Sequence, residues 1–113
     1  MLFRSYKLCM NLQILSEYLD YLEIEKGLAE NTLEAYRRDL NDFFNFCGDT
    51  DVDNIQRTKI NSYVRNLHEM KYSPTSIMRK IASLRGFFKW TCVNEITRTN
   101  PALTLEQIGR AHV

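Results

Sequence analysis

Residues Ser73–Trp90 read SPTSIMRKIASLRGFFKW. Ser73-Pro74 is a helix start: the serine hydroxyl caps, and proline lacks an N–H only where none is needed. From there Ile77, Ile81, Leu84, Phe88 and Thr91 recur at spacings of four, three, four and three, which is one apolar stripe on a helix. Arg79, Lys80, Arg85 and Lys89 fall between them, Lys71 lies just upstream, and no Asp or Glu occurs from Lys71 to Asn94. Solvated faces usually mix both signs. A helix with one apolar face and an unopposed basic face packs on a core and offers charge to phosphates.

Three further helices precede it. Leu12, Leu15, Leu19 and Leu22, with Tyr18 beside them, form the stripe of a first helix from about Leu12 to Lys26, closed by Gly27. Glu17, Asp20, Glu23 and Glu25 make its remaining surface acidic, which directs that face away from any phosphate. Asn31 is expected to cap the second helix, with Glu34 completing a capping box. Its stripe is Leu33, Tyr36, Leu40, Phe43, Phe44 and Cys47, and Gly48 ends it. Arg37 and Arg38 are expected to pair with Glu34, Asp39 or Asp42. Thr58 is expected to cap a third helix, about Lys59 to Met70, with Ile60, Tyr63, Val64 and Leu67 inward. Four Gly and two Pro leave little room for strands and turns, so the fold class is all-α with four helices.

The ends fit this pattern least. Residues 1–9 are expected to be a disordered leader, Met10 being an alternative start. Asn100-Pro101 is a stop signal. QIGRAHV at 107–113 has no periodicity, and IGRAHV resembles a translated sequencing adapter, so a non-native or truncated tail is expected there. The domain proper is then 10–106.

The net charge of +1 hides an asymmetry. Residues 1–53 carry 5 basic and 11 acidic side chains, a net of −6; residues 54–113 carry 10 and 3, a net of +7. A polyanionic partner would therefore meet one face only. Cys9, Cys47 and Cys92 lack metal-ligand spacing and are odd in number, which suggests reduced thiols in a cytoplasmic protein. The aspartates of Asp49–Asn54, DTDVDN, alternate as in a calcium loop, but no glycine and no closing glutamate follow at the required places. No metal or cofactor is expected. No apolar run approaches the ~20 residues of a membrane span.

Three segments together resemble a known family: LSEYLDYLEIEKGLAENTLEAYRRDLNDFFNF, then SPTSIMRKIASLRGFFKW, then Asn100-Pro101-Ala102. Asn31, Thr32, Tyr36, Asp39 and Leu40 carry one motif; Ser73, Ser76, Arg79, Ser83, Leu84, Arg85 and Phe87 carry another. They resemble the N-terminal core-binding domain of tyrosine recombinases, the Xer branch and related phage integrases, over about Leu12 to Glu106.

The resemblance implies a four-helix, SAM-like orthogonal bundle that grips one side of a recombination site on double-stranded DNA. A catalytic domain, absent from this sequence, would grip the other side. It implies DNA-contacting positions at Asn31 and Thr32, at Arg38, and at Thr75, Ser76, Arg79 and Lys80. Arg85 either pairs with an acidic residue of the first half or reaches phosphate. Capping is the expected role of Asn31 and Ser73.

The family's chemistry uses a tyrosine nucleophile activated by arginine, histidine and lysine of the catalytic domain. None of the six tyrosines here has such neighbours, so no catalytic residue is assigned. Full-length relatives act as tetramers on two DNA sites. The rival expectation is a helical protein-interaction module that does not bind DNA, since fold alone does not decide function.

Overall fold

Nothing from Leu2 to Ile24 breaks a helix: the run holds neither Gly nor Pro, and α1 spans it whole (Leu2–Ile24). The computed structural model describes residues 2–48 and 50–103. α2 (Glu30–Cys47), a 3-10 turn at Val52–Asn54, α3 (Arg57–Glu69) and α4 (Pro74–Val93) follow. The fold is all-α with four helices, and no strand occurs among the described residues. The tail expected at 107–113 lies outside them.

α1 therefore begins well before Leu12, and the backbone of residues 2–9, expected to be a disordered leader, is helical. The leucine stripe therefore does not mark where the helix begins. Just ahead of it Asn11 is 0% exposed. Its amide donates to the Thr50 carbonyl at 2.8 Å and accepts the Val52 N–H at 3.0 Å.

The chain divides into two compact units, residues 1–52 and 53–113. In the first, α1 packs on α2. Leu15, Tyr18, Leu19 and Leu22 are buried on α1, and Leu40, Phe43, Phe44 and Cys47 on α2. Gly27 ends α1 at φ +65°, a left-handed conformation that glycine adopts without strain. In the second unit α3 packs on α4. Ile60, Tyr63, Val64 and Leu67 are buried on α3; Ile77, Ile81, Leu84, Phe87, Phe88 and Thr91 are buried on α4. Phe87 and Phe88 meet edge-on, their centroids 5.2 Å apart. The segment after α4 folds back on its end: the Ile96 N–H reaches the Thr91 carbonyl at 2.8 Å, and the Thr91 and Thr97 hydroxyls share a buried hydrogen bond of 3.1 Å.

Two caps differ from expectation. α2 starts from Ala29, whose carbonyl accepts the Leu33 N–H at 3.0 Å, so Asn31 lies inside the first turn and caps nothing. Glu30 supplies the negative charge that favours a helix N-terminus, and the helix begins there. α3 starts from Gln56, whose carbonyl accepts from Lys59 and Ile60, which places Thr58 in the first turn as well. Both helices of the second unit end in the same motif. Lys71 (φ 64°) and Glu95 (φ 60°) are left-handed, and the next residue's N–H reaches back to Leu67 and Thr91 respectively.

Candidate nucleic-acid interface

The start of α4 is built as its sequence predicts. The Ser76 N–H donates to Ser73 Oγ at 3.2 Å, the Ser73 hydroxyl donates to Ser76 Oγ at 3.0 Å, and the Ile77 N–H donates to the Ser73 carbonyl at 3.0 Å. Pro74 has no N–H. Thr75 is left with an N–H and a hydroxyl that have no partner among the described residues. Its side chain is exposed.

From Thr75 the solvent face of α4 runs through Met78, Arg79, Ala82, Arg85 and Lys89, all exposed. Arg85 and Lys89 are exposed, and among the described residues no carboxylate pairs with either. Ser76 is half-buried. Lys80 is not on this face. It is 4% exposed, and its ammonium stands 5.3 Å from the centre of the Tyr72 ring, a cation–π contact. Its place follows from spacing: Lys80 is three residues after Ile77 and four before Leu84, within the buried arc. Lys89, which the motif leaves out, takes its place on the outer strip.

On α2, Asn31, Thr32 and Arg38 are all exposed. Arg37 pairs with Glu34 at 3.3 Å, as expected, whereas Arg38 has no partner among the described residues. Asp39 is buried. With Ala29 as its cap, α2 opens without side-chain closure of its first N–H groups, and Asn31 and Thr32 stand beside them. Each unit, taken by itself, has one helix start with hydroxyl or amide side chains and at least one exposed guanidinium. Such a helix start is suited to phosphate oxygens.

Elsewhere on the second unit a cleft of about 530 Å³ is lined by Asp53, Gln56, Arg57, Arg98, Asn100 and Leu103 among others, and by no residue of α4. Its one carboxylate is engaged: Asp53 accepts the Arg98 N–H at 2.9 Å and meets the Arg98 guanidinium at 3.4 Å. Its lining holds no His or Cys. Among the described residues no group of three or more His, Cys, Asp or Glu is arranged to hold a metal. Among the described residues no helix is long and apolar enough to cross a membrane.

The family model for the phage integrase N-terminal SAM-like domain matches residues 15–94. The chain belongs to that family. It is 33% identical over 96 residues to the tyrosine recombinase XerD of Oceanobacillus iheyensis, covering 81% of this chain and 32% of the relative. It is 33% identical over 90 residues to the tyrosine recombinase XerC of Anoxybacillus flavithermus, covering 77% and 30%. A tyrosine recombinase of Agathobacter rectalis is 39% identical over 92 residues, covering 80% and 30%. No solved structure matches. The chain spans about a third of the length of the curated relatives it matches. Within the SAM-like family's matched span fall α2, α3 and α4 whole, and with them every outward residue named above.

Proposed function

We propose that this chain is the DNA-binding domain of a Xer-like tyrosine recombinase, holding one side of a recombination site through phosphate contacts. The observation that carries the reading is the outer face of α4, where Arg79, Arg85 and Lys89 stand exposed on a helix without a single acidic residue. The relatives' names support the recombinase context. In the full protein, cutting and rejoining would belong to a catalytic domain that supplies the tyrosine and its activating arginine, histidine and lysine, needing no metal or other cofactor. The working assembly would be a tetramer on two DNA sites in the cytoplasm.

In this reading Arg38, Arg79, Arg85 and Lys89, all exposed, neutralise phosphates. With about four phosphates engaged, log affinity falls with log salt at a slope of roughly −3.6, or ~10² in affinity between about 50 and 200 mM salt. Fluorescence anisotropy with a labelled duplex of about 30 base pairs measures this. The Arg79→Ala/Arg85→Ala/Lys89→Ala variant should flatten the slope by about 2.7. Binding absent at low salt would favour a protein-interaction module instead. Binding indifferent to the triple substitution would move the interface off α4.

A further inference from the structure

Along the solvent line of α4, residues recur at Thr75, Met78, Ala82, Arg85 and Lys89, with Arg79 beside them. One member does not fit a purely phosphate-binding face. Met78 is 60% exposed, although it occupies a helix whose other large apolar side chains up to Phe88 are buried. A thioether among cations gains nothing from phosphate. It sits on the line itself, with Arg79 next to it in sequence and Arg85 two turns on.

We propose that Met78 is a specificity-determining contact that reads the thymine methyl group in the major groove of duplex DNA, with Arg79, Arg85 and Lys89 anchoring the backbone on either side. This rests on the DNA-binding reading above. The occupant follows from charge: α4 carries no acidic residue, so its outer face suits a polyanion, and the major groove of DNA admits an α-helix. The one apolar feature a base edge presents there is the C5-methyl of thymine. Methionine is unbranched, flexible and polarisable, and adapts to such a group at varied depth. Ala82, one turn further on, has only a methyl to offer and keeps the same line apolar and shallow.

The test compares an alternating A·T duplex with the same duplex carrying deoxyuridine for thymidine, a change that removes only the methyl groups. Wild-type protein should bind the uridine duplex about fourfold more weakly for each methyl contacted. Met78→Ala should bind the thymidine duplex with a similar loss and should not distinguish the two duplexes. Because Met78 is exposed, this variant keeps its fold, which circular dichroism checks. If wild type binds both duplexes equally, with the expected salt slope, the methyl reading is overturned and phosphate binding stands. Equal discrimination by wild type and Met78→Ala also overturns it, placing the methyl contact elsewhere. No salt-dependent binding to either duplex sinks this inference and the DNA-binding reading together.

Discussion

Arg79 and Lys80 are neighbours with opposite surroundings, one exposed and one buried over Tyr72. Arg79→Ala should therefore lower the salt slope of DNA binding by about 1. Lys80→Met, which keeps the buried stem, should leave that slope unchanged. It should instead lower the unfolding free energy measured in urea by the lost cation–π contact, about 0.5–2 kcal/mol. A flattened slope for Lys80→Met would return the lysine to the interface. The difference between these residues was written in the spacing of Ile77, Lys80 and Leu84, but the lysine's charge drew attention to solvent. Asn11 had no such signal. Its partners lie at Thr50 and Val52, and no local pattern predicts a pairing that distant. Asn11→Ala should cost about 2–3 kcal/mol in chemical denaturation, because a buried N–H and a carbonyl lose their partner together. A cost near zero would mean that water replaces the amide.

Among the helices, starts were less legible than stripes. Ser73 was read correctly because serine followed by proline leaves one arrangement. Asn31 and Thr58 are also good capping residues, but each helix begins earlier, so their side chains lie in the first turn. For Asn31 that displacement is what leaves the amide exposed beside uncapped N–H groups. The ends of α3 and α4 were illegible for a different reason: Lys71 and Glu95 take the left-handed conformation that glycine usually fills. The hydrogen bonds of the motif enforce it against the residue's preference. Glu95 is exposed and its side chain makes no hydrogen bond or ion pair among the described residues. Glu95→Gly should therefore raise stability by about 0.5 kcal/mol, the released strain outweighing the added freedom of the unfolded chain. Thermal unfolding of the pair of proteins measures it, and a destabilised variant would show that the turn carries no strain.

For the whole molecule, the change from acidic to basic sequence near residue 53 falls at the boundary between the two compact units. The charge asymmetry and the all-α class were legible in the sequence because they depend on composition and periodicity, and the family because its motif residues recur in order; the division into two units was not, since the sequence reads as one domain. Among the groups that bear on stability at alkaline pH is the buried Tyr18 phenol. Burial pushes the Tyr18 phenol well above its ordinary value of 10.0, and the nearby Tyr36 and Tyr21 add to the effect. Above pH 10 the unfolded chain releases this proton while the folded chain keeps it. The contribution is therefore complete below that value and falls by up to about 1.4 kcal/mol per pH unit above it. Tyr18→Phe should make the alkaline fall shallower, whereas parallel curves would show that Tyr18 titrates normally. Asn11 has a further consequence. Loops are where related proteins ordinarily gain and lose residues. Here one amide on α1 holds both Thr50 and Val52. A residue added or deleted between those two would pull one end off the amide, so this connection should keep its length while its identities drift.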